Sequence, residues 1–484
     1  MRPDPLFMPV RELSRHIKLG RISPVELTEL YLRRLEKIGP NYNSVVTVTR
    51  KRALRQARRA EKEIEAGNYR GLLHGIPYGV KDLIATKGIP TSWGAAPFKD
   101  QVFDHDAAVV KRLDQAGAIL CAKLAMIELA GGMGYRQPFA SFTGPPRNPW
   151  SPDTWTGGSS SGSGAAVAAG LVPFAIGSET WGSILSPSNN CGVAGLRPTY
   201  GRVSRHGAMA LCWTLDKLGP LCQTADDCGV VLEAIAGPDP DDPTTTNETW
   251  TYKPRSAKKR YKVGVLKGVA DDAQDEVRQN FEEALKVVRR FASIEEFELP
   301  DLPYEAITRT ILNAEAASAF DEFVEAGLSH RLTAPEDHWG PYARTALLAT
   351  DYLRAMRLRG RMAKAVAEAM EPYDAVAAPT AKKAATPIDQ EFRKVAPGAT
   401  KDVMGAVGNG CGLPSIGVPD GFTQAGLPTG IQFMGHPYDE NTIINIARAY
   451  QGLTDWHRRH PPIPEPKKGV GGSRLIPQKN TPPT

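Results

Sequence analysis

The segment Gly157-Gly158-Ser159-Ser160-Ser161-Gly162-Ser163-Gly164 runs without a break into the apolar stretch from Ala165 to Leu171. This junction constrains the fold more than any other feature. A Gly/Ser linker would end in another polar or flexible segment, whereas here the chain passes directly into an Ala/Val helix that has to pack closely. A second turn of small residues follows at Gly177-Ser178-Glu179-Thr180-Trp181-Gly182-Ser183. Together the two stretches offer hydroxyls without bulky neighbours, and backbone N–H groups at a helix start and in a glycine turn that can hold an anion.

The surrounding chain supports a large α/β core. Of 484 residues, 41% are apolar and 23% charged, which excludes disorder over most of the length. Ser23-Pro24-Val25-Glu26 reads as a capped helix start, with Leu27, Leu30, Tyr31, Leu35 and Ile38 on its apolar face. A charged helix is predicted from Lys51 to Glu65, and turns joined by short strands from Leu72 to Lys81. Further on, Val263 to Leu266 followed by Val277, Phe281, Ala284, Leu285 and Val288 reads as a strand and then a helix. Strands are expected at Asp374 to Ala378, Ser415 to Val418 and Thr429 to Met434, with a last helix from Glu440 to Tyr450. Strands alternating with helices predict an α/β domain with a mostly buried sheet. The Pro/Gly-rich tail 461–484 is expected to be disordered.

Charge and cysteines narrow the function. The net charge is +6, but the tail contributes half of it through Lys467, Lys468, Arg474 and Lys479 against Glu465. The basic stretch from Arg50 to Lys62 lacks interleaved aromatics and reads as a solvated helix face, so no nucleic-acid partner is expected. No apolar run approaches the ~20 residues that span a bilayer, and no signal peptide is visible, so no membrane partner and a cytoplasmic location are expected. A mature form stripped of a leader would read the same. The six cysteines show no ligand spacing and read as buried thiols, with no metal.

Three local readings compete at the Gly/Ser segment. A phosphate loop needs GxxxxGK[ST] or GxGxxG after a strand, and neither is present. Gly158 to Gly162 matches a GxSxG elbow with Ser160 as nucleophile, but the preceding Trp150 to Trp155 is a poor strand. The SxxK match at Ser256 to Lys259 lies in a basic linker and reads as chance. The third reading is a serine activated by a lysine in place of histidine.

Here the chain resembles the amidase signature family. The resemblance rests on Gly75-Ile76-Pro77-Tyr78-Gly79-Val80-Lys81-Asp82-Leu83, Lys87 to Thr91, the Gly/Ser segment and Cys191-Gly192-Val193-Ala194-Gly195-Leu196-Arg197-Pro198-Thr199. Gly201 to Arg205, Leu215-Asp216, Gly219-Pro220, Gly412 to Pro414 and Leu427 to Gln432 extend it over roughly residues 8 to 455. It implies one large amidase signature domain over 1–460, with a central mixed sheet covered by helices. Within it lie a helical layer at about 8–68, a signature core at about 72–235 and a C-terminal α/β part at about 260–455.

The resemblance also implies a Ser-Ser-Lys triad of Lys81, Ser159 (after a cis peptide bond) and the nucleophile Ser183, with an oxyanion hole at Thr180, Trp181 and Gly182 and no cofactor. Substrate contacts are expected at Ser160, Met133 and Trp181. The implied activity is hydrolysis of linear carboxylic amides, with a small-molecule or peptide amide as substrate and room for a homodimer. Alternatives within the fold are the glutamine-hydrolysing component of a tRNA-dependent amidotransferase, where Arg344 and Asp402 would hold an amino-acid zwitterion, and a non-catalytic binding protein. The nucleophile stretch departs from the family's Asp-x-Gly-Gly-Ser-Ile-Arg, reading Glu179-Thr180-Trp181-Gly182-Ser183-Ile184-Leu185. It looks most like the peptide-amidase branch. Trp181 is expected as a wall of the cleft, strained if its position requires a positive φ. Residues 300–410, with Trp339, Tyr342 and Tyr352 as exposed aromatics, are expected to shape the pocket.

Overall fold

Buried strands of this chain alternate their side chains between two cores, and that alternation organises the molecule. In Phe174–Glu179, Phe174 and Ile176 enter one core and Ala175 the other. The core around Ala175 takes Leu32 and Leu35 from the helix Pro24–Lys37, Ala53 and Ala57 from Arg50–Glu65, and Ala166 and Val167 from Ser161–Ala168. The other core includes Val109 and Leu113 of Ala108–Gln115 and Val231 and Ile235 of Ala225–Ile235. A computed structural model of the chain describes residues 5–255, 260–392, 394 and 402–462. The SxxK match at 256–259 and the tail from 463 onward lie outside the described residues.

The strands are β1 (Val45–Val48), β2 (Pro77–Lys81), β3 (Ile119–Leu124), β4 (Phe174–Glu179), β5 (Ala194–Arg197), β6 (Lys217–Cys222), β7 (Tyr261–Leu266), β8 (Ala292–Phe297), β9 (Ala375–Pro379), β10 (Ser415–Phe422) and β11 (Pro428–Met434). They form one mixed sheet in the order β1-β3-β2-β4-β6-β5-β10-β11-β9-β7-β8. Strand β2 runs parallel to both β3 and β4, so the carboxyl ends of β2 and β4 emerge side by side. In parallel sheets that edge is where ligands and chemistry gather. The architecture is a single α/β domain.

Most predicted elements are present. Ser23 caps its helix by accepting from Val25 N and Glu26 N, both at 3.1 Å. Leu27, Tyr31 and Leu35 are buried on that helix, while Leu30 is only half-buried. The strands at 261–266, 375–379, 415–422 and 428–434 and the helices Asp275–Val288 and Glu440–Gln451 stand within a few residues of expectation. Five cysteines are buried thiols and Cys411 is half-buried. Among the described residues, no helix is long and apolar enough to cross a membrane.

The helix after the Gly/Ser segment begins at Ser161, not Ala165. Its small residues are consumed by close packing: a Cβ on Gly162 would stand 2.5 Å from both Ala125 N and Ser44 O. Two of the N–H groups at its start are already engaged: Ser160 N donates to Ser183 O and Gly162 N to Ala125 O.

Because Gly162 meets backbone on two sides, Gly162→Val should destabilise the protein by about 1–3 kcal/mol or more through overpacking. The check is the urea midpoint at constant slope; an unchanged midpoint would show that the contact can relax.

Candidate active site

Lys81 ends β2, one strand away from Ser178 in β4, and its side chain is fully buried. Its Nζ donates to Ser159 Oγ at 2.7 Å and to Ser178 Oγ at 2.9 Å. Ser159 follows a cis Gly158–Ser159 peptide bond, and its Oγ donates to Ser183 Oγ at 3.0 Å. Lysine and two serines thus form one hydrogen-bonded file from the sheet edge outward. Burial is the largest influence on Lys81 and pulls its pKa down to about 7, against weaker opposing fields of Asp216 and Glu179. A neutral amine in contact with a hydroxyl is a competent proton acceptor.

Ser183 lies in the turn between β4 and the helix Leu185–Cys191. The turn is held by the buried carboxylate of Glu179, whose Oε2 accepts from Ile184 N at 2.9 Å and Leu185 N at 3.0 Å. Its Oε1 accepts from Arg197 Nη1 at 2.8 Å, a pair with 1% and 0% of the side chains exposed. Burial alone would raise the Glu179 carboxyl, but Arg197, Lys217 and the backbone donors outweigh it and keep it below the usual carboxylate value. On the other side, Thr180 Oγ1 donates to Asp216 Oδ1 at 2.5 Å, and Asp216 Oδ2 accepts from Leu211 N and Cys212 N. The left-handed residue is Gly182, with φ +81, and Trp181 is free of that constraint. Among the described residues, nothing accepts from the backbone N–H groups of Trp181, Gly182 or Ser183. Donors grouped beside a nucleophile in this way suit a developing oxyanion.

Ser183 opens on a cleft of about 500 Å³, walled by Tyr135, Trp181, Arg309, Arg344 and Asp402. Two expected substrate contacts are not brought there. Ser160 is fully buried, its Oγ donating to Ser178 O at 3.1 Å and accepting from Ser178 N at 3.2 Å, and Met133 is packed in the core. Ser160 therefore ties the two small-residue segments together. No strand leads into it; Thr154 and Trp155 form only isolated bridges. The region 300–410 supplies Arg309, Arg344, Lys383, Phe392 and Asp402 to the cleft, but not Trp339, Tyr342 or Tyr352. Trp339 and Tyr342 are exposed away from it, and Tyr352, expected at the surface, is half-buried and donates to Glu315 Oε1 at 3.0 Å.

The family model described as Amidase matches residues 26–444. The chain belongs to the amidase signature family. This amidase is 34% identical over 482 residues, 94% of its own length and 99% of the relative's, to the A-type subunit of the glutamyl-tRNA(Gln) amidotransferase of Thermosynechococcus vestitus. Among solved structures it is similar to a chain from a vestigial protein complex connected with the origins of an s-triazine catabolic enzyme, with a TM-score of 0.85, 29% identity and coverage of 92% of this chain and 98% of that one. The native peptide amidase of Stenotrophomonas maltophilia matches with a TM-score of 0.81 and 28% identity over 95% of this chain and 99% of that one. It is accordingly a hydrolase of the amidase type.

Sequence reasoning gave no role to Ser178, the second partner of Lys81, or to Glu179 and Arg197. The signal for Glu179 was its place at a strand end before a glycine turn. For Arg197 it was its place in the family stretch from Cys191 to Thr199. Removing one partner of a buried ion pair costs about 3–5 kcal/mol, so Glu179→Gln should lower the denaturation midpoint accordingly and slow any Ser183 chemistry. A loss of under about 1 kcal/mol would show that the turn holds without the carboxylate.

Proposed function

We propose that this amidase hydrolyses the C–N bond of linear carboxylic amides through an acyl-enzyme on Ser183. What carries the reading is the unbroken Lys81–Ser159–Ser183 file, with a lysine drawn to about 7 at its inner end. Neutral Lys81 takes the proton of Ser159 as Ser159 takes that of Ser183, and Ser183 Oγ bonds to the amide carbon. The carbonyl oxygen gains the charge and meets the N–H groups of the 181–183 turn, each donor worth about 3 kcal/mol in the transition state. As the C–N bond breaks, the proton returns through Ser159 to the leaving amine. Water then adds to the ester, gives its proton to the same file, and releases the carboxylate with Ser183 restored. Amide and water become carboxylic acid and amine, with no redox change and no cofactor in the sequence of steps.

A second reading is the glutamine-hydrolysing component of a tRNA-dependent amidotransferase. It is favoured by the name of the 34%-identical relative and by Arg344 and Asp402 lining the cleft. Co-purification with other subunits, together with ammonia release specific to glutamine, would select it over a stand-alone enzyme.

A fluorophosphonate probe followed by peptide mass spectrometry should place the label on Ser183 and leave Ser160→Ala labelled as the parent. Label on Ser160 would overturn the assignment. Lys81→Met should lower amide turnover by about 10³-fold or more, in the range seen when a member of a catalytic triad is removed.

A further inference from the structure

Trp181 is the largest departure of the nucleophile turn from the family pattern, and its ring is held from two sides. Its Nε1 donates to Asp402 Oδ2 at 2.8 Å, and the Arg309 guanidinium lies over the ring at 5.1 Å from the centroid. Asp402 is engaged again as the cap of the helix Val403–Gly410, where Oδ1 accepts from Gly405 N at 2.8 Å. Each of its oxygens therefore already accepts an N–H, and the indole flanks one of them.

The cations of the cleft are differently placed. Arg344 donates to Gly132 O, and Lys383 to Phe392 O at 2.7 Å. Arg309, exposed on the helix Tyr304–Ala319, forms no hydrogen bond or ion pair among the described residues. Stacking on an indole fixes the plane of a guanidinium while leaving its N–H edge open for a carboxylate, which that fork binds with two parallel hydrogen bonds. Among the described residues, the wall beside Ser183 thus presents Arg309, Arg344 and Lys383 against one carboxylate, that of Asp402.

Building on the amidase reading above, we propose that Trp181 and Arg309 select linear amides that carry a carboxylate and no ammonium group beside it, the class of dicarboxylic acid monoamides. The substrate carboxylate pairs with Arg309 at the lip, and its hydrocarbon chain lies along the indole towards Ser183. An ammonium group would enter a site where, among the described residues, three cations face the single carboxylate of Asp402, each of whose oxygens already accepts one N–H.

The test uses the full chain and three amides: glutaramate, L-glutamine and pentanamide. The first two differ by the α-ammonium group, the first and third by the carboxylate. Glutaramate should exceed both in kcat/KM by about tenfold or more, the scale of one charge-assisted contact. In Arg309→Gln the glutaramate-to-pentanamide ratio should fall about tenfold, mainly through KM, and Trp181→Gly should narrow the glutaramate-to-glutamine ratio. Glutamine turned over as fast as glutaramate, or a ratio unmoved in Arg309→Gln, would overturn the proposal. Cleavage of pentanamide alone would overturn it and leave the amidase reading standing. Cleavage of none of the three would also overturn it, and the probe label at Ser183 would then show whether the amidase reading falls as well.

Discussion

A lysine ammonium surrounded by hydroxyls at the bottom of a sheet edge cannot keep its charge cheaply. Removing an ion from water costs several kcal/mol in a real protein interior, and hydroxyl dipoles return only part of that. Among the described residues, Lys81 has Ser159 and Ser178 as its hydrogen-bond partners and no carboxylate in contact, so neutrality near pH 7 follows from its surroundings. Lys123 and Lys217 are equally buried and show what the arrangement avoids. Lys123 lies 3.2 Å from Asp82 and braces the chain just after Lys81. Lys217 is likewise drawn to about 7, mainly by burial, but it donates to the Leu215 carbonyl, where no nucleophile waits. A lowered pKa alone therefore does not make a base; contact with a hydroxyl that touches a second hydroxyl does.

The rest of the site fixes the far end of that file. The Glu179–Arg197 pair links the end of β4 to β5, and its carboxylate organises the first turn of the next helix. Buried ion pairs are poor stabilisers compared with apolar packing, so the value of this one lies in geometry. With the turn tied at Glu179 and Thr180, the left-handed demand falls on Gly182 alone. Position 181 is thereby free to carry a large side chain, which explains how tryptophan stands where the family pattern has glycine, as a wall of the cleft and not as strained backbone.

The helices Pro24–Lys37, Asp275–Val288 and Glu440–Gln451 and the strands β7, β9, β10 and β11 were legible from their apolar patterning, as in Val277, Phe281, Ala284 and Val288. Strands β3, β4 and β6 were not. The apolar run of β3 is broken by the buried Lys123, β4 contains Gly177 followed by Ser178 and Glu179, and β6 contains Gly219-Pro220, residues that interrupt a strand pattern although all three strands are fully buried. The chemistry that makes these strands useful is what disguises them. Lys81, Ser159 and Ser183 could be named only through the family resemblance, since nothing local distinguishes Ser159 from Ser160. The structure separates them by direction, one hydroxyl towards Lys81 and the other towards the Ser178 backbone. The fate of the helix-start N–H groups was equally hidden, because it depends on Ala125 and Ser183, which are distant in sequence.

The pH dependence of kcat/KM on a non-ionising amide tests the neutral lysine most directly, because that quantity reports the free enzyme. Protonation removes the lone pair of Lys81, so the rate should fall about tenfold per unit of pH below an inflection near 7. The residual activity of Lys81→Met should lack that limb. A flat wild-type profile between about pH 5 and 9, or the same limb surviving in Lys81→Met, would contradict the assignment of Lys81 as the base.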